Sequence, residues 1–280
     1  MESNQKTSKN HEKVVAFLLS IPIGFVGGLI GLGGAEFRLP VLIGLLGRQA
    51  RQAISINLAV SLITILSSSL IRLRVFSEFP FTKLLPVLLS MILGAVLSAF
   101  IAAGAASKIS SHVLEAWMKF LLVSIGLLLV VEGFFPIPAA NLLFASPLIQ
   151  FLVGITAGIL IGIVSSTLGV AGGELIIPTL IFVFGIGVKL AGTASLLISL
   201  PTVITGLIRY YRLAAFFDRS AMTQIVIPMG VGSIIGSILG GLLFGIASQN
   251  GLKALLGLIL IYSAIRMFLR RPQPVASSST

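Results

Sequence analysis

The segment Gly31-Leu-Gly-Gly-Ala-Glu-Phe-Arg-Leu-Pro40 returns 138 positions later as Gly169-Val-Ala-Gly-Gly-Glu-Leu-Ile-Ile-Pro178. Gly31/Gly169, Gly34/Gly172, Glu36/Glu174 and Pro40/Pro178 are identical, and most other positions exchange small for small or apolar for apolar. Each copy sets a cluster of glycines inside an apolar stretch. A glycine costs a helix interior up to about 1 kcal/mol relative to alanine, so each cluster predicts a helix that breaks and starts again, at about Ala35 and Gly173. Irregular backbone inside a bilayer survives only where protein or a watery cavity surrounds it. Two such breaks in matching places are a sequence pointer to a transport site.

The surrounding chain is built for lipid. Hydrophobic residues make up 56% of it and charged residues 10%, against about 25% charged residues in soluble domains. Ala53 to Ile71, Leu84 to Ser107, Gly133 to Gly173, Leu190 to Ile208 and Ser220 to Leu252 contain no Asp, Glu, Lys or Arg. Each reaches the roughly 20 residues a helix needs to span the hydrocarbon, and solidly apolar runs do not alternate as barrel strands do. The fold expected is all-α: a polytopic transmembrane helix bundle made of two homologous repeats with glycine-broken helices.

The same offset extends the repeat. Asn57, Ser61, Thr64 and Ser68 lie on one helix face and map onto Ser195, Ser199, Thr202 and Gly206. Ser90, Gly94 and Ser98 map onto Gly232, Gly236 and Gly240 at a slightly longer offset, and small residues at every fourth position read as a close-packing face. Lys119 and Glu132 bracket one late apolar segment, Lys253 and Arg266 its counterpart. The chain divides into a polar tail (1–13), a first repeat (14–132), a loop with Pro136 and Pro138 (133–145), a second repeat (146–271) and a disordered, Ser-rich tail (272–280). Each half reads as a helix, a break, a short helix and three longer helices. If the broken segment makes one net crossing, the halves lie parallel; if it forms a re-entrant hairpin, they are inverted. Either version puts the N-terminal tail, the Arg209 to Arg219 loop and the C-terminus on one side, which the positive-inside rule makes cytoplasmic, in a cell-membrane protein.

The net charge of +11 does not point to nucleic acid, because most basic residues, Arg48, Arg51, Arg72, Arg74, Arg209 and Arg212 among them, sit at the ends of apolar runs. Orientation and anionic head groups account for them. There is no cysteine, hence no disulfide or thiol chemistry. His11 and His112 fall in polar segments without a nucleophile or a metal-ligand cluster beside them, so the reading is not an enzyme, and it calls for no cofactor and no metal. The spacing is not that of a phosphate-binding loop.

The candidate substrate site is the pair of breaks, Gly31, Gly33, Gly34 and Ala35 with Gly169, Ala171, Gly172 and Gly173, because free amides and the positive dipole end of the following helix favour an anion. The competing reading is tight packing of small residues. Asn57 and Ser195, with Ser55 and Thr193 beside them, are candidate substrate contacts; Thr64 and Ser68 read as interhelical glue. Glu36 and Glu174, each in the first turn after a break, are candidates for proton coupling, since a carboxyl at membrane depth is a functional group by default. Capping of free amides is the alternative role. Arg38 appears only in the first copy, Ile176 standing in its place in the second; pairing with Glu36 and attracting substrate are its two candidate roles.

These motifs, Gly31-Leu-Gly-Gly-Ala-Glu with Pro40 and Gly169-Val-Ala-Gly-Gly-Glu with Pro178, resemble those of the TauE/SafE family of sulfite exporters and related permeases. The resemblance covers nearly the whole membrane part. It implies a secondary transporter for sulfite, a sulfonate or a similar sulfur-containing anion. Its partners are then the small anion and the bilayer, with no nucleic acid, and a homo-oligomer is compatible. An anion channel or a non-transporting bundle is the alternative.

Overall fold

The computed structural model describes the backbone of residues 2–75, 79–105, 120, 123–124, 126–127, 129–131, 146–168, 171–212 and 219–269. All regular structure among these residues is helical. In order come α1 (Glu2–Ile30), α2 (Ala35–Pro40), α3 (Ala50–Val75), α4 (Phe81–Ala105), α5 (Pro147–Leu168), α6 (Gly173–Phe182), α7 (Val188–Arg212), α8 (Ile227–Ile246) and α9 (Gln249–Leu269). Wider π-helical turns extend α2 through Val41–Leu45 and lead into α8 through Met222–Val226. Six helices among the described residues are long and apolar enough to cross a bilayer. The first tail belongs to α1, which is helical from Glu2. Gly169, Lys119, Glu132, the 133–145 loop and the 272–280 tail lie outside the described residues.

Helix directions follow from which residues meet. Glu12 of α1 is ion-paired with Arg48 just before α3, and at the other end Gly31 abuts the Arg72 guanidinium, so α1 and α3 run the same way. α2 therefore folds back between them as a re-entrant hairpin. On α8, Ser233 meets Gly24 and Ser237 meets Gly28, again parallel to α1. Leu58 of α3 meets Gly206 of α7 while Arg72 meets Gly192, so α7 is antiparallel to α3. Arg209 at the end of α7 donates to the Ala99 carbonyl of α4 at 3.3 Å, and Ser90, Met91 and Ser98 of α4 run alongside Gly154, Gly158 and Gly162 of α5. Thus α1, α3 and α8 point one way and α4, α5 and α7 the other. Elements that the sequence offset pairs (α1 with α5, α3 with α7, α4 with α8) are antiparallel: the halves are inverted, which charge distribution alone left undecided.

The packing explains the small-residue faces. The first helix of each half lies against the third long helix of the other, α1 on α8 and α5 on α4, with glycine and serine at the seam. Opposite that seam, α4 exposes Phe81, Leu85, Leu89, Leu93 and Leu97, one residue per turn, and α8 exposes Val231, Ile235, Leu239 and Leu242. This apolar outer face is what a helix against lipid tails presents.

The hairpin can be checked cleanly because the chain has no cysteine of its own. A Glu12→Cys/Arg48→Cys variant is expected to cross-link readily with a short bifunctional thiol reagent in membranes. A single net crossing of α1 and α2 would hold the two positions a membrane thickness apart and give no product.

Candidate functional site

The breaks come together. Gly34 and Gly172, equivalent positions, both take left-handed backbone (φ 74° and 79°) immediately before α2 and α6 start. A side chain there is strained, and at Gly34 it would also meet Ile23. Gly173 packs on the backbone of Leu32, and Gly33 faces Ala171. Ala35, Ala171, Leu58, Ile65, Leu196 and Val203 form one buried cluster, which ties both breaks to α3 and α7. Gly31 meets Gly192 so closely that a methyl group on either would strike the other segment's backbone. Arg38 N–H donates to the Gly34 carbonyl and the Leu175 and Ile176 N–H groups to the Gly172 carbonyl, so each left-handed glycine opens its helix, and both helix starts lie at one junction.

The acids sit at this junction. Both carboxylate oxygens of Glu36 are buried without a hydrogen-bond partner. Glu174 is 5% exposed, and the two carboxyl groups are near enough to repel each other when charged. Residues 138 apart in sequence are thus electrostatic neighbours.

Arg38, not placed in the site by sequence reasoning, is wholly buried. Its Nη1 donates to Asn57 Oδ1 (3.3 Å) and Ser61 Oγ (2.9 Å), and its Nη2 to Thr64 Oγ1 (3.1 Å) and Ser233 Oγ (3.4 Å). The polar stripe of α3 is therefore a cradle for a cation on the returning short helix. Glu36 and Arg38 feel each other's charge but make no ion pair. Spacing gave a signal for this that went unread: a stripe at i, i+4, i+7 and one arginine in the segment that must pack on it. In the second half Ile176 occupies the arginine's position, and Ser195 and Ser199 bury hydroxyls with no partner.

The other expected contacts divide. Thr193 follows Gly192 and so lies at the first break, although it belongs to the second half; its hydroxyl donates to the Lys189 carbonyl at 3.1 Å. Asn57 is engaged by Arg38, so any influence it has on a substrate passes through the guanidinium. Ser55 donates to the Gln52 carbonyl at 2.9 Å and sits about 15 Å along α3 from Ile65, the residue level with the break. Thr64 is both glue and cradle, donating to the Val60 carbonyl while it accepts from Arg38. Arg72 departs from the head-group account of the basic residues, being fully buried.

A bilayer-spanning bundle whose two oppositely directed, interrupted segments abut around ionisable side chains has the architecture of a membrane transporter. The comparison with known families agrees. The chain belongs to the sulfite exporter TauE/SafE family, which matches residues 15–217 and, in a second overlapping match, residues 154–280. This is a family of membrane transporters of sulfur-containing anions. No curated protein and no solved structure matches the chain.

Proposed function

We propose that the protein carries a small sulfur-containing anion, sulfite or a sulfonate, across the cell membrane in exchange with or accompanied by a proton, its termini on the cytoplasmic side. The observation that carries this reading is the abutment of the two breaks, with Glu36 and Glu174 near enough to feel each other's charge. An anion entering next to two carboxylates is repelled. A proton taken up by the pair removes one negative charge and makes room for the anion's, which ties the two movements together. Arg38 supplies a fixed positive charge close by, and the starts of α2 and α6 turn the positive ends of their helix dipoles toward the same junction. Inverted halves around a central junction suit a carrier that rocks between two openings.

The test is flux in liposomes of the purified protein. Saturable movement of labelled sulfite or methanesulfonate is expected, with a rate that changes when a pH gradient is imposed. In the Glu36→Gln/Glu174→Gln variant the pH response is expected to vanish. Unsaturable flux with single-channel steps would support a channel instead, and absence of any anion flux would leave a structural bundle. A pH response undiminished in the double variant would end the coupling role of the acids.

A further inference from the structure

A second buried cation lies at the far end of the bundle from the start of α1. Three helix ends converge there: the last turn of α3 with Arg72, the first turn of α7 with Lys189, and the last turn of α8 with Phe244. The Arg72 guanidinium carbon stands 3.8 Å over the Phe244 ring and the Lys189 Nζ 5.4 Å from the same ring's centroid. Arg72 Nη2 donates to the Lys189 carbonyl at 3.2 Å, whereas Nε and Nη1 are buried with no hydrogen-bond partner. Nη1 is, after the Gly192 carbonyl, the nearest atom that a side chain on Gly31, the first residue of the break, would strike. Lys189 donates to the Gly245 carbonyl at 3.1 Å. Among the described residues Arg72 makes no ion pair with a carboxylate.

A guanidinium enclosed without a counter-charge, using only part of its donor fork, is unfavourable unless something else completes it. An aromatic face offsets a fraction of that cost and offers no acceptor for Nη1. The missing partner is an anion with oxygens that fit a guanidinium fork, as sulfite and sulfonates have. We propose that Arg72 and Lys189, gathered on Phe244, form a docking subsite that receives the transported anion at this face and passes it to the first break. The subsite rests on the anion-transport reading above. With α3, α7 and α8 closed, the guanidinium is sealed, so the anion reaches it when these three ends part. The Lys189 ammonium, partly exposed, is the charge met first.

The experiment measures initial rates of sulfite and methanesulfonate transport against concentration, from each face of oriented vesicles, for the full-length protein. Lys189→Gln changes a partly exposed residue and leaves the core untouched. It is expected to raise KM about fivefold from the face that carries Lys189, with little change from the other face. Arg72→Gln is expected to raise KM more, and Arg72→Lys to recover part of the loss. A purely structural role would lower the amount of active protein and the maximal rate from both faces and leave KM unmoved. Unchanged KM in Lys189→Gln, or an equal rise from both faces, overturns the subsite while transport itself stands. Absence of wild-type flux removes the transport reading and the subsite together.

Discussion

Replacing Arg38 by methionine is expected to cut sulfite transport by about a hundredfold or more in a protein that still folds. The guanidinium makes four charge-assisted hydrogen bonds to α3 and α8, each of a kind worth about 1.5–3 kcal/mol, and none is to an acid. Its positive charge is therefore held by neutral partners where the breaks meet and is not taken up in an ion pair. Methionine fills similar space. The hydroxyls left behind have other acceptors on their own helix, as Thr64 already shows by donating to Val60, so the fold loses less than the function. Arg38→Lys is expected to recover little, because one ammonium cannot reach Asn57 and Ser233 at once. Initial rates and melting temperature measured on the same preparation decide the matter. Near wild-type transport by Arg38→Met would reduce the residue to a packing device.

Gly236→Leu is expected to yield no folded protein, and Gly236→Ala a protein destabilised by about 2–3 kcal/mol. A methyl group on Gly236 would fall on the carbonyl oxygen of Ile21; at Gly232 the obstacle is the Phe17 carbonyl and at Gly240 the Phe25 carbonyl. Each obstacle is backbone, which cannot rotate aside as a side chain can. The only relief is to push α1 and α8 apart, and that also draws Ser233 away from Arg38. Gly44, with nothing within 4 Å of an added methyl, is the control, and Gly44→Ala is expected to change stability by less than about 1 kcal/mol. Unfolding in increasing SDS measures both; equal midpoints for Gly236→Ala and wild type would contradict the seam.

The parts legible in the sequence were those with a local cause. Glycine clusters signal interruptions because glycine breaks a helix by its own conformational freedom, and helices do start at Ala35 and Gly173. Small residues at 90, 94 and 98 announced a close face through their size. What the sequence could not show is which surface each face meets, since α4 packs on α5 and α1 on α8 across the two halves. The direction of the halves was equally hidden, because both topologies place the basic ends alike. Arg72 looked like a residue at a membrane boundary because its position in an apolar run is terminal. Its burial depends on Phe244 and Lys189, far off in the chain and brought there by the fold. Arg38 was hidden for the same reason: its four partners come from two helices, and one of them, Ser233, lies in the other half.

The seam between α1 and α8 also constrains how the molecule is made. During translation α1 leaves the ribosome long before α8 is synthesised, and in the interval its Gly24 and Gly28 flank has only lipid for company. A helix tolerates this delay because its backbone amides are satisfied internally; what it forgoes is packing. α5, by contrast, emerges after its neighbour α4 and can join it at once. The α4–α5 seam can therefore close before the α1–α8 seam, which has to wait for a helix made much later.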